Sequence, residues 1–227
     1  MIRLLLVALM FAVTPCVAQD IPPSWAVRIF ADESGDSEPE GTGSGVLITG
    51  ELIVTNDHVI KRAKNRGGVS VLFGDWSVED ATVVYRNPTW DLALVKLNNR
   101  STMTPIKLGT DPKFNDKVVL YGFGSGAFLR QEGVVKGHIK VPGIGSNTPE
   151  EHDDHLLFTA LPRQGDSGGA VTDVNGKLVG IVNMRTRSDG LFIVQSQVRK
   201  MVRNYVQNPN SYKTNDTYPL LIPTQVK

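Results

Sequence analysis

Cysteine is almost missing from this chain of 227 residues, which contains one, Cys16. A disulfide within the chain needs two cysteines, so no such bond can form. Export compartments permit disulfides, and small exported domains often depend on them. We therefore expect a fold that packing alone holds together.

An excess of charge of one sign is also missing. The chain has 24 lysines and arginines against 23 aspartates and glutamates, which gives a net charge of +1. Proteins that bind nucleic acids concentrate positive charge on one face or in one segment. The sequence contains no such block, so we expect no nucleic-acid partner. Hydrophobic residues make up 41% and charged residues 21%, as in an ordinary soluble globular protein.

No hydrophobic run reaches the roughly 20 residues that a membrane-spanning helix needs. The apolar run at residues 4–13 follows Arg3 and precedes Cys16-Val17-Ala18. A positive start, an apolar run of this length and small residues at its end are typical of a secretory signal peptide. We expect residues 1–18 to be removed, which predicts an exported protein, periplasmic or secreted, without a stable membrane anchor. A buried N-terminal element and a lipoprotein are the alternatives, and Pro15 before the cysteine disfavours the second.

Beyond this segment, short apolar runs alternate with turn residues, which predicts an all-β sandwich or barrel. Asn175-Gly176 predicts a hairpin turn because this pair accepts positive φ. A connector at residues 98–105 divides the strands into two halves, and apolar spacing of three and four predicts a helix over residues 196–206. The predicted strands cover 25–30, 46–49, 52–55, 69–73, 81–85 and 92–97, then 118–121, 131–141, 156–160, 170–173, 177–184 and 191–195.

The stretch Gly165-Asp166-Ser167-Gly168-Gly169 places one hydroxyl nucleophile among three glycines. Glycine lets the backbone turn sharply and approach a substrate closely. A serine hydroxyl is a weak nucleophile until a base takes its proton. Backbone N–H groups in such a turn can stabilise the oxyanion of a tetrahedral intermediate. The stretch therefore predicts a nucleophilic site that needs a base from elsewhere in the chain.

His58 and Asp91 are the candidates for that base and for the carboxylate that orients it. His58 lies in Thr55-Asn56-Asp57-His58-Val59, at the end of a strand-like run, and Asp91 opens Asp91-Leu92-Ala93-Leu94 before another strand. The order histidine, aspartate, serine is one of the known orders of this triad.

These three blocks resemble the signatures of trypsin-like (chymotrypsin-fold) serine proteases, over roughly residues 40–195. The run Gly43-Ser44-Gly45-Val46-Leu47-Ile48 resembles their bacterial HtrA-like branch, here without a PDZ domain, and a bacterial or phage origin fits the lack of disulfides. The resemblance implies two antiparallel β-barrels of the chymotrypsin type with a C-terminal α-helix. One protease domain would span residues 19–227, with barrels at about 24–100 and 105–195, a helix at about 196–206 and a tail at 207–227.

The resemblance also implies the roles of the site residues in a serine endopeptidase. Ser167 would attack a peptide carbonyl, His58 would act as base and then acid, and Asp91 would orient the imidazole. The N–H groups of Gly165 and Ser167 would form the oxyanion hole. Protein or peptide substrates would be hydrolysed through an acyl-enzyme without a cofactor.

Substrate specificity is assigned by the same resemblance. Leu161, six residues before the nucleophile, would form the floor of the primary pocket beside Pro162 and Gln164. The segment Asn183-Met184-Arg185 would form its wall. An apolar floor cannot pair a lysine or arginine, and burying that charge unpaired is costly. We expect small or medium apolar P1 residues first and acidic ones second, because Arg185 stands where the family often has glycine.

Two further expectations concern activation and metals. Many trypsin relatives are cut before an Ile-Val-Gly-Gly sequence, and the freed amine pairs with the aspartate before the nucleophile. Asp166 is present here, but that sequence is not, so we expect no activating cleavage. His138 and the run from His152 to His155 match no standard zinc spacing. We expect this run to be a solvated loop and the chain to hold no metal.

Two other functions use the same residues. A non-catalytic binding module can retain a protease fold, although such relatives usually lose a triad residue. A serine esterase would favour a Gly-x-Ser-x-Gly elbow in an α/β pattern. The stretch around Ser167 satisfies that loose motif, but the histidine precedes the serine and no helices separate the strands.

Overall fold

The structure is a computed structural model that describes residues 20–31, 41–61, 63, 68–142 and 151–209. The predicted signal peptide and nearly all of the predicted tail lie outside these residues. Within them, twelve strands form two closed barrels of six antiparallel strands each, and an α-helix follows the second barrel. This arrangement confirms the predicted fold class. No described helix has the length and apolar character needed to cross a membrane.

The strands of the first barrel are β1 (Ala26–Ala31), β2 (Gly41–Leu47), β3 (Leu52–Thr55), β4 (Val69–Leu72), β5 (Val78–Asn87) and β6 (Leu92–Leu97). The barrel is closed in the order β1-β2-β3-β6-β5-β4, and β4 pairs with β1. A single helical turn, α1 (Asp57–Ile60), follows β3, and the sequence analysis does not predict it.

The strands of the second barrel are β7 (Lys117–Gly122), β8 (Leu129–Pro142), β9 (Glu151–Phe158), β10 (Ala170–Asp173), β11 (Leu178–Arg185) and β12 (Gly190–Val194), and α2 (Gln195–Gln207) follows. This barrel is closed in the order β10-β11-β12-β9-β8-β7, and β7 pairs with β10. The predicted hairpin at Asn175-Gly176 joins β10 to β11, and Gly176 has a φ of +73°.

Strand β6 explains how the barrels are joined. Successive side chains of a strand point to opposite faces. Ala93 and Val95 pack inside the first barrel, whereas Leu92 and Leu94 pack into a second apolar cluster that the two barrels share. Burial on both faces removes the polar alternation expected of a half-exposed strand. That cluster also contains residues of the second barrel and of α2, among them Leu178, Ile181, Ile193, Val198 and Met201.

Strand β9 includes a segment that the sequence analysis places in a loop. The polar run from His152 to His155 was predicted to be a solvated loop, but it belongs to β9, which pairs with β8 and β12. His155 is only 4% exposed. Charged residues favour loops when considered alone, but here pairing with two neighbouring strands overrides that local preference. The register of β8 against β9 shifts between Val135 and Gly137, which marks a β-bulge there.

One ion pair ties β8 to the turn before β12. The Lys136 ammonium donates to Asp189 at 2.6 Å, and the Ser188 hydroxyl donates to the same carboxylate at 2.7 Å. The hydrogen bond from Lys136 and, to a smaller extent, that from Ser188 lower the pKa of Asp189 below its ordinary value. A lowered folded-state pKa stabilises the fold above the unfolded pKa, and that contribution disappears as pH falls through the folded value.

We therefore expect Asp189→Asn to flatten the pH dependence of the free energy of unfolding below about pH 4, where an unperturbed aspartate titrates. Urea unfolding at pH 6 and pH 3 measures the difference. Glu132→Gln is the control, because that exposed side chain pairs with the exposed Arg130. Equal pH dependence in Asp189→Asn and the parent would contradict the assignment.

Candidate active site

Two neighbouring strands of the first barrel bring His58 and Asp91 together. His58 lies in α1 just after β3, Asp91 lies just before β6, and these strands pair with Thr55 opposite Ala93. The imidazole Nδ1 of His58 is 2.6 Å from Asp91 Oδ2, and the His58 backbone N–H donates to Oδ1 at 2.9 Å. A carboxylate only accepts, so Nδ1 carries the proton and Nε2 is left as the basic nitrogen.

The backbone of Asp91 is held as firmly as its side chain. Its φ is +52°, a left-handed conformation that aspartate tolerates better than most residues. Its carbonyl accepts bonds from Asn56 Nδ2 at 2.9 Å and from the Asp57 N–H at 3.2 Å. The Arg86 guanidinium in turn forms a bidentate ion pair with the Asp57 carboxylate, with hydrogen bonds of 2.7 and 3.0 Å. The carboxylate beside His58 is therefore fixed from several directions.

Ser167 comes from the second barrel and is joined to both. Its carbonyl accepts the Ser44 N–H of β2 at 2.8 Å, and the next N–H, of Gly168, donates to Val182 at 2.9 Å. The Ser167 hydroxyl donates to the Asn183 carbonyl at 3.0 Å. In the part of the chain that the structure describes, no hydrogen bond joins this hydroxyl to His58. The hydroxyl must therefore rotate before the imidazole can take its proton.

Residues 163–167, the oxyanion loop, contain two N–H groups suited to an anion. Gly165 has a φ of +97°, which favours glycine. The Gln164 carbonyl accepts the Ser125 N–H at 2.8 Å, and because a trans peptide sets C=O and N–H on opposite sides, the Gly165 N–H faces away from Ser125. Within the described residues, neither this N–H nor that of Ser167 donates to a protein acceptor. Unpaired backbone donors of this kind fit an oxyanion hole.

A second loop, residues 123–128, supports the oxyanion loop. Asp166 is fully buried, and its carboxylate accepts the Gly124 N–H at 2.6 Å and the Arg163 N–H at 2.7 Å. The Arg163 guanidinium lies 3.4 Å from that carboxylate and donates to the Ala127 carbonyl at 2.9 Å. The buried charge is thus fully engaged, as a buried carboxylate must be. We call residues 123–128 the supporting loop.

Ser44 is a residue that the motifs did not single out. It is 1% exposed, and its hydroxyl donates to the Gly165 carbonyl at 2.7 Å while accepting the Phe123 N–H at 2.9 Å. Its carbonyl accepts the Thr55 hydroxyl at 2.7 Å. Ser44 therefore connects the first barrel, the oxyanion loop and the supporting loop. It lies in the glycine-rich run that carries the HtrA resemblance, but nothing local in the sequence indicates a partner in the other barrel.

The predicted specificity residues differ in exposure. Leu161 is 37% exposed, Gln164 and Arg185 are exposed and Met184 is half-buried, whereas Pro162 and Asn183 are buried. Asn183 stands at a register shift between β11 and β12, and its amide donates to the His155 imidazole at 2.8 Å. His155 therefore supports Asn183, whose carbonyl accepts the Ser167 hydroxyl. The sequence analysis places His155 in a solvated loop and so does not predict this contact.

Among the described residues, no group of three or more histidines, cysteines or carboxylates could hold a metal.

Comparisons with known proteins identify the family of this chain. The sequence matches the family of the trypsin-like peptidase domain over residues 43–181. The periplasmic serine endoprotease DegP of Salmonella typhimurium is 32% identical over 154 residues, which are 65% of this chain and 31% of that protein. The periplasmic pH-dependent serine endoprotease DegQ of Escherichia coli K12 is 30% identical over 177 residues, 74% of this chain and 37% of that protein. The chain spans about a third of the length of these relatives.

Solved structures share the fold. The active form of the Rv3671c protease from M. tuberculosis superimposes with a TM-score of 0.71 at 24% identity, covering 87% of this chain and 93% of that one. The serine endoprotease from Yersinia pestis gives a TM-score of 0.68 at 20% identity, covering 83% and 65%. Identities this low establish the fold alone. With the family match, they confirm the resemblance drawn from the sequence motifs.

We expect Ser44→Ala to lower the free energy of unfolding by about 1–3 kcal/mol, because it leaves the Phe123 N–H and the Gly165 carbonyl without their buried partner. Urea denaturation measures this loss. Ser70→Ala is the matched control, since the Ser70 hydroxyl makes only an exposed contact of 3.4 Å with Asp80. Equal stabilities of the two variants would show that the Ser44 network contributes nothing.

Proposed function

Because the chain belongs to the trypsin-like peptidase domain family, we propose that it is a serine endopeptidase that hydrolyses peptide bonds in proteins or peptides. The observation that carries this proposal is the pairing of His58 with Asp91 beside a serine loop with two unpaired N–H groups. Each part of the reaction therefore has a group with suitable chemistry.

The reaction begins when the Ser167 hydroxyl leaves the Asn183 carbonyl and gives its proton to His58. The serine oxygen attacks the peptide carbonyl, and Asp91 stabilises the imidazolium that forms. The N–H groups of Gly165 and Ser167 bind the oxyanion, and losing one such donor costs on the order of 3 kcal/mol of transition-state stabilisation. His58 then protonates the leaving amine, and water hydrolyses the acyl-enzyme by the same steps.

No activating cleavage is needed in this proposal. In many trypsin relatives a freed amine holds the aspartate before the nucleophile. Here the Asp166 carboxylate already accepts the N–H groups of Gly124 and Arg163 and lies beside the Arg163 guanidinium. These donors supply the interactions that would otherwise have to come from a new N-terminus.

The substrate preference proposed is for small or medium apolar P1 residues, with acidic residues second. Leu161 and Met184 offer apolar surface beside the buried Pro162, and Arg185 adds an exposed positive charge at the proposed wall. A substrate lysine or arginine would find no carboxylate among these four residues. Gln164 and Asn183 complete the proposed binding segment.

Export to the periplasm or the medium is also proposed. The apolar segment at residues 4–13 supports it, as do the periplasmic relatives DegP and DegQ. The partner is then a protein or peptide substrate in that compartment.

A second candidate function is a latent or catalytically silent binding module on the same fold. The bond from the Ser167 hydroxyl to the Asn183 carbonyl favours it, because that bond occupies the proton that His58 has to take. In this alternative the site binds peptides, and turnover needs a partner or does not occur.

Labelling with a fluorophosphonate, which reacts with activated serines, separates the two functions. We expect the parent protein to be labelled, and Ser167→Ala and His58→Ala to remain unlabelled because each lacks half of the activated pair. Intact mass of the labelled protein tests activation. Labelling that appears only after a cut near Arg28 would contradict the absence of an activation step. A folded parent that resists labelling would favour the binding module.

Cleavage of a peptide library tests the substrate preference. We expect cuts after small or medium apolar residues, with acidic residues next, because an unpaired lysine or arginine would be costly to bury against an apolar floor. Sequencing of the new ends measures the profile. Leu161→Asp is the informative variant, since a carboxylate there should bring in basic P1 residues. A parent profile dominated by lysine and arginine would overturn the assignment.

A further inference from the structure

A cavity outside the proposed active site lies against the supporting loop. Its volume is about 400 Å³, within the usual size of ligand pockets. It is bounded by the N-terminal segment, the β4–β5 turn and the supporting loop, and we call it the N-terminal cavity. Its walls include Ile21, Pro22, Arg28, Trp76, Gly126 and Phe128. No step of the proposed reaction uses any of these residues.

Trp76 at the rim of this cavity is unfavourable in two independent ways. Its side chain is 82% exposed, so its large apolar surface contributes little to the core. Its φ is +69°, a conformation that is a clear outlier for a bulky residue and that glycine would adopt without strain. Residues that carry such costs are concentrated at functional sites. Ile21, 87% exposed, adds a second uncovered apolar side chain at the same rim.

Arg28 gives the cavity a positive charge that no carboxylate of the described residues pairs with. Its guanidinium lies 4.7 Å from the centre of the Phe30 ring and reaches the Gly126 carbonyl only at 3.5 Å. Its Nε is buried without a hydrogen-bond partner, and no carboxylate in the described residues forms an ion pair with it. Asp20 also borders the cavity but makes no such pair. A guanidinium in this state matches a carboxylate, which can accept two parallel hydrogen bonds.

The cavity wall is also part of the machinery that shapes the oxyanion loop. Gly126 and Ala127 line the cavity. The Ala127 carbonyl accepts a bond from Arg163, and the Ser125 N–H holds the Gln164 carbonyl whose peptide carries the Gly165 N–H. A ligand that fastens the supporting loop therefore also stabilises the orientation of an oxyanion donor.

We propose that the N-terminal cavity binds the carboxyl-terminal residue of a peptide and that this binding activates the serine site. The carboxylate pairs with Arg28, and the apolar side chain packs against Trp76. Hydrolysis after an apolar residue produces such an end, a free carboxylate beside an apolar side chain. That source for the ligand rests on the proposed function, whereas the match between cavity and ligand does not.

Binding is tested on Ser167→Ala, which cannot turn the probe over. The probe is an N-acetylated tripeptide that ends in phenylalanine, used as the free acid and as the C-terminal amide. Titration calorimetry and tryptophan fluorescence measure the affinities. We expect the acid to bind at least about tenfold more tightly, the scale of one charge-assisted hydrogen-bonded pair. Equal affinities of acid and amide would overturn the proposal without any change at Arg28.

Further substitutions in the same background assign the binding to the cavity rather than to the active site. Arg28→Gln should remove the preference for the acid, while Arg203→Gln, at an exposed arginine of α2, should keep it. Trp76→Gly should weaken binding severalfold without lowering the thermal midpoint, because it relieves the left-handed strain. Asn115→Gly relieves a similar φ of +68° away from the cavity and should leave binding intact. An acid preference that survives Arg28→Gln overturns the site.

Activation is tested on the unsubstituted protein by the rate of fluorophosphonate labelling. The acid peptide should raise this rate severalfold, and Arg28→Gln should abolish the increase. An unchanged rate with bound peptide would overturn the activation. Binding of decanoate, with decanol as the neutral control, but not of the peptide would overturn the peptide source in favour of a lipid acid. If the protein is never labelled, the proposed function fails, and the affinities still decide the binding site.

Discussion

The apolar contact between the two barrels is the constraint on which the candidate site depends. His58 and Asp91 belong to the first barrel and Ser167 to the second, so neither barrel alone contains the site. Burial of apolar surface is non-directional and would hold the barrels together in many orientations. The bonds of Ser44 to Gly165 and Phe123 are directional, and they select one of these orientations. Apolar burial thus holds the two barrels together, and the hydrogen bonds of one buried serine fix their relative orientation.

Closed barrels let the fold do without disulfides. An open sheet exposes a row of unpaired backbone groups at each edge, and closure removes those edges. Both six-stranded barrels close, and Val198 and Met201 of α2 pack into the cluster that the barrels share. Backbone strain among the described residues is local, because the four non-glycine residues with left-handed backbones all lie outside the strands: Trp76, Asp91, Asn115 and Ser125.

Sequence patterns predicted the elements that depend on neighbouring residues. Alternation and turn residues located most of the strands, although β2 begins at Gly41 rather than at residue 46 and β9 begins at Glu151 rather than at residue 156. The spacing of Val198 and Met201 located α2. Local pattern failed where a distant partner decides the outcome. His155 lies in a polar run yet is buried, because β8 and β12 pair on either side of it. Ser44 and Arg28 both contact the supporting loop, which is about 80 to 100 residues away along the chain. The residues next to them in the sequence therefore do not predict these contacts.

The oxyanion loop differs from the His58–Asp91 pair in what holds it. The pair is anchored directly on two neighbouring strands, whereas the loop is held by polar contacts from Ser44, Gly124 and Ser125. Segments with few apolar contacts open at lower free energy than barrel strands do. The conformation of the oxyanion loop is therefore the part of this site that a change in a neighbouring loop alters most easily. Because the supporting loop is exposed to ligands at the N-terminal cavity, control of the nucleophile does not require any movement of the barrels.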